Sequence, residues 1–309
     1  MTVLITGGAG FIGSHFVDFV LKAHPAWKVI TVDKLTYAGN LDNLKQARKS
    51  LRHRFVKADI ADERKMAPLM KRADLVVNFA AESHVDRAIG NPAPFLQSNF
   101  QGVFVLLELA KRYRIQRFLQ IGTDEVYGPV MKGAALETAP LNPRNPYSAS
   151  KASADLLVRS YYLTYGLPVL ITRSSNNYGP RQFPEKVLPV TIACALRNEP
   201  IPVYGDGLQV RDWTYVEDNC RGVDLVLRKG RVGEIYNVSA CHEMVNMEMI
   251  QQVLKQLGRP TSLIRHVKDR PGHDRRYAIN TDKVKKLGFR PHMPWSKGLD
   301  ATVAWYLKK

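Results

Sequence analysis

A chain of 309 residues with 45% hydrophobic side chains can build one large domain or two modest ones, which excludes disorder as the starting expectation. Its net charge of +17, with basic runs at Arg48–Arg54 and Lys283–Lys286, would suit nucleic acid or an anionic surface, but no nucleic-acid motif accompanies it and lysines on helix faces are usually just solvated. Cys194, Cys220 and Cys241 lie far apart and His15, His53, His84 and His273 show no ligand spacing, so neither a disulfide framework nor a metal is expected.

The first apolar stretch, TVLITGGAGFIG, is broken by glycines and too short to span a bilayer, so it reads as a buried strand and turn with no membrane association expected, and the scattered cysteines suit a reducing cytosol, so a cytoplasmic location is expected. Further strands are predicted at KVITV from 28, HRFVKA from 53, DLVVNFA from 74, RFLQIGT from 117 and LPVLITR from 167. Between them, Pro92–Arg112 and Pro146–Tyr165 have helical length and periodicity. Such alternation predicts an α/β fold, a Rossmann-type doubly wound parallel sheet. After Arg173 the pattern loosens at Pro180, Pro184, Pro189, Pro200 and Pro202, which points to a smaller, interleaved α/β substrate-binding domain. The expected division is 1–173 for the Rossmann domain, with segments around 208–238 returning to it, and 174–309 mainly for the second domain.

Almost every unusual polar cluster directly follows a predicted strand: Gly7, Asp33, Asp59, Ala80–His84, Thr123–Glu125 and Ser174–Tyr178. In an open parallel sheet these positions converge outside the carboxyl ends of the strands, where ligands bind. Gly7, Gly10 and Gly13 form a glycine turn leading into a helix near Phe11, suited to a dinucleotide pyrophosphate. A carboxylate at Asp33 can accept bonds from both adenosine ribose hydroxyls and would repel a 2′-phosphate, which favours NAD over NADP despite the neighbouring Lys34.

Asn145 and Pro146 read as cap and first position of a helix, so Tyr147 and Lys151 share one face, a turn apart. A nearby ammonium, the positive helix end and an oxidised nicotinamide would favour the Tyr147 phenolate, a base for a sugar hydroxyl. Asp124 and Glu125 are adjacent after the fifth strand, where two carboxyls in different surroundings can hold different protonation states. In isolation such a pair is usually a solvated loop. Arg211 in VRDW, and Arg270 with His273 in RPGH, offer groups able to grip a diphosphate.

The motifs TGGAGFIGSHF, DKLTYAGN, AAESHVDRAI, GTDEVYG, NPYSASKASAD, SSNNYGPRQFPEKVLP, VRDWTYVEDNC and RPGHDRRYAIN run from residue 6 to 280. By them the chain resembles the extended short-chain dehydrogenase/reductases, and within these the nucleoside-diphosphate-glucose 4,6-dehydratases. The resemblance implies an NAD-dependent hydro-lyase of deoxysugar biosynthesis that oxidises carbon 4 of a hexose, eliminates water across carbons 5 and 6 and returns the hydride to carbon 6. It implies dTDP-glucose as substrate ahead of UDP-glucose, a homodimer through the helices containing Pro92–Arg112 and Tyr147–Tyr165, and no specific nucleic acid. Sugar-nucleotide 4-epimerases and decarboxylases share the glycine turn and Tyr-x-x-x-Lys, not the Thr-Asp-Glu run.

Residue by residue, the resemblance implies Asp124 as acid, Glu125 as base, Thr123 as partner of the sugar oxygen, and Tyr147 with Lys151 at the oxidation step. To the cofactor it adds Phe11, Ile12, Lys34, Leu35, Thr36, Asp59, Ile60, Ala80, Ala81, Ser83, Ser98 and Asn177. To the substrate it adds His84, Asn176, Lys186, Val187, Pro202, Tyr204 and Asn246. Gly122 stands where that family usually has Ser, Asn280 where it often has Asp, and the stretch between Gly128 and Tyr147 is short.

Overall fold

A computed structural model describes residues 1–308. The predicted apolar runs form the first six strands: β1 (Thr2–Thr6), β2 (Lys28–Asp33), β3 (His53–Lys57), β4 (Leu75–Asn78), β5 (Arg117–Thr123) and β6 (Val169–Ser174). The rest are β7 (Asn176–Tyr178), β8 (Ile201–Tyr204), β9 (Val210–Tyr215), β10 (Ile235–Val238), β11 (Glu243–Val245) and β12 (Ile264–Val267). Seven strands pair in the order β10-β6-β5-β4-β1-β2-β3, all parallel, so the strand order reverses between β1 and β4. This is the doubly wound sheet expected, and its crevice opens at that reversal.

Strand residues alternate between two apolar layers because successive side chains leave opposite faces. Leu4, Val76 and Phe118 pack with Val103, Leu106, Ala154 and Val158 from helices Gly102–Arg112 and Pro146–Tyr165. Val3, Ile5, Val77 and Leu119 pack with Phe16, Val20, Val223 and Leu227 from helices Phe11–Ala23 and Val216–Lys229. One row on the first face is polar. Thr6 Oγ1 donates to Asn78 Oδ1 (2.5 Å) and Asn78 Nδ2 to Gln120 Oε1 (2.8 Å), across the matched positions of β1, β4 and β5. All three residues are buried, so pairing with one another is what makes their burial tolerable.

Two details depart from the periodicity. Pro92–Arg112 is not one regular helix: Ala93–Leu96 passes through a π turn at Gln97–Gln101 into Gly102–Arg112. The bulge aims Asn99 at the loop after β4, where it accepts from Glu82 N (2.9 Å) and donates to Glu82 O (3.0 Å) and Ser150 Oγ (2.9 Å). Of the segment near 208–238, helix Val216–Lys229 and β10 join the large sheet, whereas β9 belongs to a three-stranded sheet β11-β9-β7. That sheet and the pair β12-β8 surround a third core containing Leu188, Ile192, Trp213, Ile250 and Leu299.

Two members of the basic runs have structural partners. Arg52 caps the end of helix Phe11–Ala23 by donating to the carbonyls of Leu21, His24 and Trp27, and Lys283 pairs with Glu234 at 2.6 Å. Among the described residues no helix is long and apolar enough to cross a membrane.

Candidate active site

The carboxyl ends of the central strands and the smaller lobe enclose one cleft with about 540 Å³ of free space. Gly7 follows β1 at φ +65°, and a Cβ there would lie 2.5 Å from Ala80 N in the neighbouring loop. A Cβ on Gly13 would lie 2.3 Å from Gly7 O. The turn is therefore closed to side chains and leaves the amino end of helix Phe11–Ala23 facing the cleft, a cradle shaped for a pyrophosphate. Gly7→Ala is expected to destabilise the protein by at least about 1–3 kcal/mol, the usual penalty of a left-handed residue before any clash, as measured by denaturant unfolding.

Asp33 ends β2 with Oδ2 accepting from Ala9 N (2.9 Å) and Oδ1 from Leu35 N (2.8 Å). Burial pushes its carboxyl up and these amides oppose the shift. Lys34 turns away to pair with Asp59 Oδ2 at 2.7 Å, so the cation beside Asp33 is already engaged. Buried Asn177 Oδ1 has no partner within the protein and belongs to the cleft wall. A glycine cradle, a ribose-level carboxylate and an open amide acceptor together fit an adenine dinucleotide carrying no 2′-phosphate.

Asn145 caps the helix as the sequence implies, and Ser148 completes a capping box: Asn145 Oδ1 accepts from Ser148 N (2.9 Å) and Ser148 Oγ accepts from Asn145 N (3.3 Å). This starts the helix so that Tyr147 and Lys151 enter the cleft wall together, both buried. Lys151 Nζ donates to Ile121 O at 2.6 Å, and burial brings its ammonium down to about 8. In the protein alone, before any nicotinamide is counted, the surroundings of Tyr147 favour the phenol. Burial, and then the Glu125 charge, push the Tyr147 phenol up, and the Thr123 hydroxyl only partly offsets them.

Thr123 caps the short 3₁₀ turn Asp124–Tyr127, its Oγ1 accepting from Glu125 N at 3.3 Å. Asp124 is only 3% exposed, and its Oδ2 and Glu125 Oε2 are both buried without a protein partner. Burial drives the Asp124 carboxyl far above the usual range, Glu125 and Asp212 add repulsion, and Arg211 opposes them. Two adjacent carboxyls, each with one buried unpaired oxygen, thus line one cleft.

Across the cleft, Arg211 is buried, stacked 4.3 Å from the Tyr277 ring centre, and donates to the carbonyls of Val210 (2.8 Å) and Asp274 (2.9 Å). Arg270 lies 3.8 Å from Asp86, and its buried Nε has no partner. His273 Nδ1 meets Asp269 at 2.6 Å, and burial with Arg270 brings its imidazole down to about 4, so it is neutral near pH 7. His84 Nδ1 accepts from Arg87 N (3.3 Å), so the proton is on Nε2, which donates to Glu185 O at 3.1 Å. Lys186 donates to Ser83 O (2.7 Å) and lies 5.8 Å from the Tyr147 ring centre.

Of the residues expected from the sequence, the cleft is lined by Gly7, Gly10, Phe11, Ile12, Gly13, Asp33, Lys34, Thr36, Asp59, Ile60, Ala80, Ala81, Ser83 and Ser98, and by the Thr123–Glu125, Tyr147–Lys151 and Asn176–Asn177 sets. From the smaller lobe it receives Lys186, Val187, Pro202, Tyr204, Arg211, Asn246, Arg270 and His273, with His84 opposite. Leu35 is not among the residues lining this cleft: its N–H donates to Asp33 and its partly buried side chain packs against the core. Sequence reasoning overlooked Asp86, Glu185, Gln209 and Tyr277, which also line it. Asp86 and Glu185 sit inside motifs already singled out and carry charge beside cationic partners, which was the available signal. Among the described residues no group of three or more His, Cys, Asp or Glu side chains is arranged to hold a metal.

Comparison with known proteins follows the same lines. A family model described as GDP-mannose 4,6 dehydratase matches residues 4–302. The low-salt glycan biosynthesis protein Agl12 of Haloferax volcanii is 52% identical over 307 residues, 99% of each chain. A dTDP-glucose 4,6-dehydratase from an Actinoplanes species is 48% identical over 312 residues, covering 99% of this chain and 98% of that one. The crystal structure of DesIV, a dTDP-glucose 4,6-dehydratase from Streptomyces venezuelae with NAD and TDP bound, matches with a TM-score of 0.98 and 46% identity, over 100% of this chain and 98% of that one. Fold, cleft and full-length similarity agree: the chain belongs to the nucleotide-sugar dehydratase family that the GDP-mannose 4,6-dehydratase model describes, among the extended short-chain dehydrogenase/reductases.

Proposed function

We propose that this chain is an NAD-dependent hydro-lyase that converts dTDP-glucose to dTDP-4-keto-6-deoxyglucose. The observation that carries the reading is the Asp124–Glu125 pair, with its two unpartnered buried oxygens, in the same cleft as Tyr147 and Lys151. Bound NAD supplies the hydride acceptor and donor for a redox-neutral cycle. The chain supplies the proton transfers. Tyr147 accepts the carbon 4 hydroxyl proton, with Lys151 and Thr123 setting the position of that oxygen. Glu125 takes the carbon 5 proton, made acidic by the neighbouring ketone. Asp124, held protonated by burial, gives its proton to the departing carbon 6 hydroxyl.

Arg211 and Arg270 hold the diphosphate, His273, Asn176, Lys186, Val187, Pro202, Tyr204 and Asn246 line the nucleotide half, and His84 stands at the sugar. Asp33 receives the adenosine ribose. In this reading residues 1–173 with Val216–Val238 serve the cofactor, and the remainder serves the sugar nucleotide. Exposed Leu96, Phe100, Phe104, Leu156, Leu163 and Tyr165 on the two outer helices are covered by a second copy in a homodimer, and the enzyme works in the cytoplasm. Thymine as the base rests on the relatives named above, since no side chain described here separates it from uracil.

Incubated with dTDP-glucose, the purified protein is expected to yield a product lighter by one water, with NAD released only on denaturation. A dTDP-galactose product of unchanged mass would replace the dehydratase with an epimerase, and recovery of NADP would overturn the role of Asp33.

A further inference from the structure

Lys151 is an amine sealed inside the protein, and its one hydrogen bond, to Ile121 O, brings no negative charge. One helical turn beyond it on the same face stands Asp155, also buried. Asp155 Oδ2 accepts from Arg173 Nε of β6 at 2.8 Å, and the Arg173 guanidinium lies 4.8 Å from the Tyr127 ring centre. The other oxygen, Oδ1, is buried with no partner. It faces β5 where Gly122 leaves space: a Cβ there would lie 3.3 Å from Oδ1 and 2.8 Å from Thr172 O. Gly122 directly follows the carbonyl that holds Lys151, so the free carboxylate oxygen and the ammonium arrive at adjacent points of one strand.

A fully buried ion pair is a poor source of stability, because desolvation offsets most of its attraction. A use is needed for it. We propose that Asp155, held in place by Arg173, is a positioning residue that keeps Lys151 as an ammonium beside Tyr147. Tyr147 and Asp155 stand one turn to either side of Lys151 on its own helix, Arg173 of β6 pairs with Asp155, Lys186 lies beyond the Tyr147 ring, and Asp124, Glu125 and Tyr127 belong to the 3₁₀ turn that follows β5. Asp155 is the one whose charge opposes the effect of burial on Lys151.

The sign follows from the charge. An ammonium is lost as pH rises through its midpoint, so removing Asp155 moves that loss to lower pH. The test uses the cofactor-loaded protein with ¹³C-labelled lysine, the Lys151 resonance being identified by its absence in Lys151→Met. Asp155→Asn together with Arg173→Gln removes both charges and leaves neither partner stranded. In Asp155→Asn alone the Lys151 midpoint is expected to fall by about one unit or more, the usual effect of losing a close opposite charge. In the double variant it falls by less, because the more distant positive charge of Arg173 is removed as well. The alkaline limb of kcat/KM should move in the same direction and order. A midpoint unchanged in the double variant overturns the proposal and leaves Asp155–Arg173 as packing, whatever happens to turnover. The proposal rests on the dehydratase reading for its meaning, but the resonance titration does not: a wild type inactive on dTDP-glucose would sink that reading while the midpoints still decide this one.

Discussion

Asp124→Asn combined with Glu125→Gln is expected to leave oxidation of the sugar in place and stop the loss of water, lowering turnover by on the order of 10² to 10⁴. The size follows from the surroundings. Asp124 is buried beside a second carboxyl, so an amide there keeps the shape but has no acidic proton to give. Glu125→Gln removes the only base adjacent to it in the chain while keeping the backbone bond from its N–H to Thr123. Mixing the variant with dTDP-glucose and following reduced-nicotinamide absorbance beside the product mass separates the two steps. Reduced cofactor should accumulate while the sugar keeps its water. Release of the 4-keto-6-deoxy product at the wild-type rate would return both carboxyls to an incidental loop.

Tyr147→Phe should act one step earlier, slowing oxidation itself by about 10² to 10⁴ with cofactor content unchanged. The phenol is buried with its ring edge-on to Phe95, centroids 6.4 Å apart, so the substitution keeps the packing and deletes one oxygen. In the protein alone that oxygen holds its proton more firmly than a free tyrosine. The Lys151 ammonium and a positively charged nicotinamide must therefore supply the acidity when the site is loaded. Rapid mixing with dTDP-glucose checks this: a slow appearance of reduced cofactor, with undiminished NAD on denaturation, is the expected pair of results. Fast reduction in the variant would remove Tyr147 from the oxidation step.

The parallel sheet was legible because each strand is a short apolar run followed at once by polar residues, and burial on both faces permits little else. The polar ends of those runs line the cleft, because a parallel sheet brings the ends of its strands to one edge. Other features depend on distant partners and leave no local mark. The π turn at Gln97–Gln101 exists because Asn99 reaches the backbone of Glu82 and the side chain of Ser150. Asp86 had a local signal in its motif, but its partner Tyr204, 2.9 Å away, lies 118 positions along the chain. Leu35 stands in DKLTYAGN with a positive φ of 58°, and its N–H donates to Asp33, a backbone role that the motif does not spell out. The burial that raises the Tyr147 phenol in the protein alone is of the same kind: spacing reports the nearby lysine, and burial does not show in spacing.

The polar row Thr6–Asn78–Gln120 bears on how the chain finds its topology. β1, β4 and β5 are not all sequence neighbours, and their flanks are interchangeable β-branched and leucine side chains that would accept several pairings. A slip of one residue in any of these strands would turn its polar member to the opposite face, among Val3, Ile5, Val77 and Leu119, with nothing to bond. A wrong neighbour would strand all three. The row thus works as a combination lock at the centre of the sheet, admitting a single alignment of three strands and penalising the many greasy near-misses that hydrophobic collapse alone would allow.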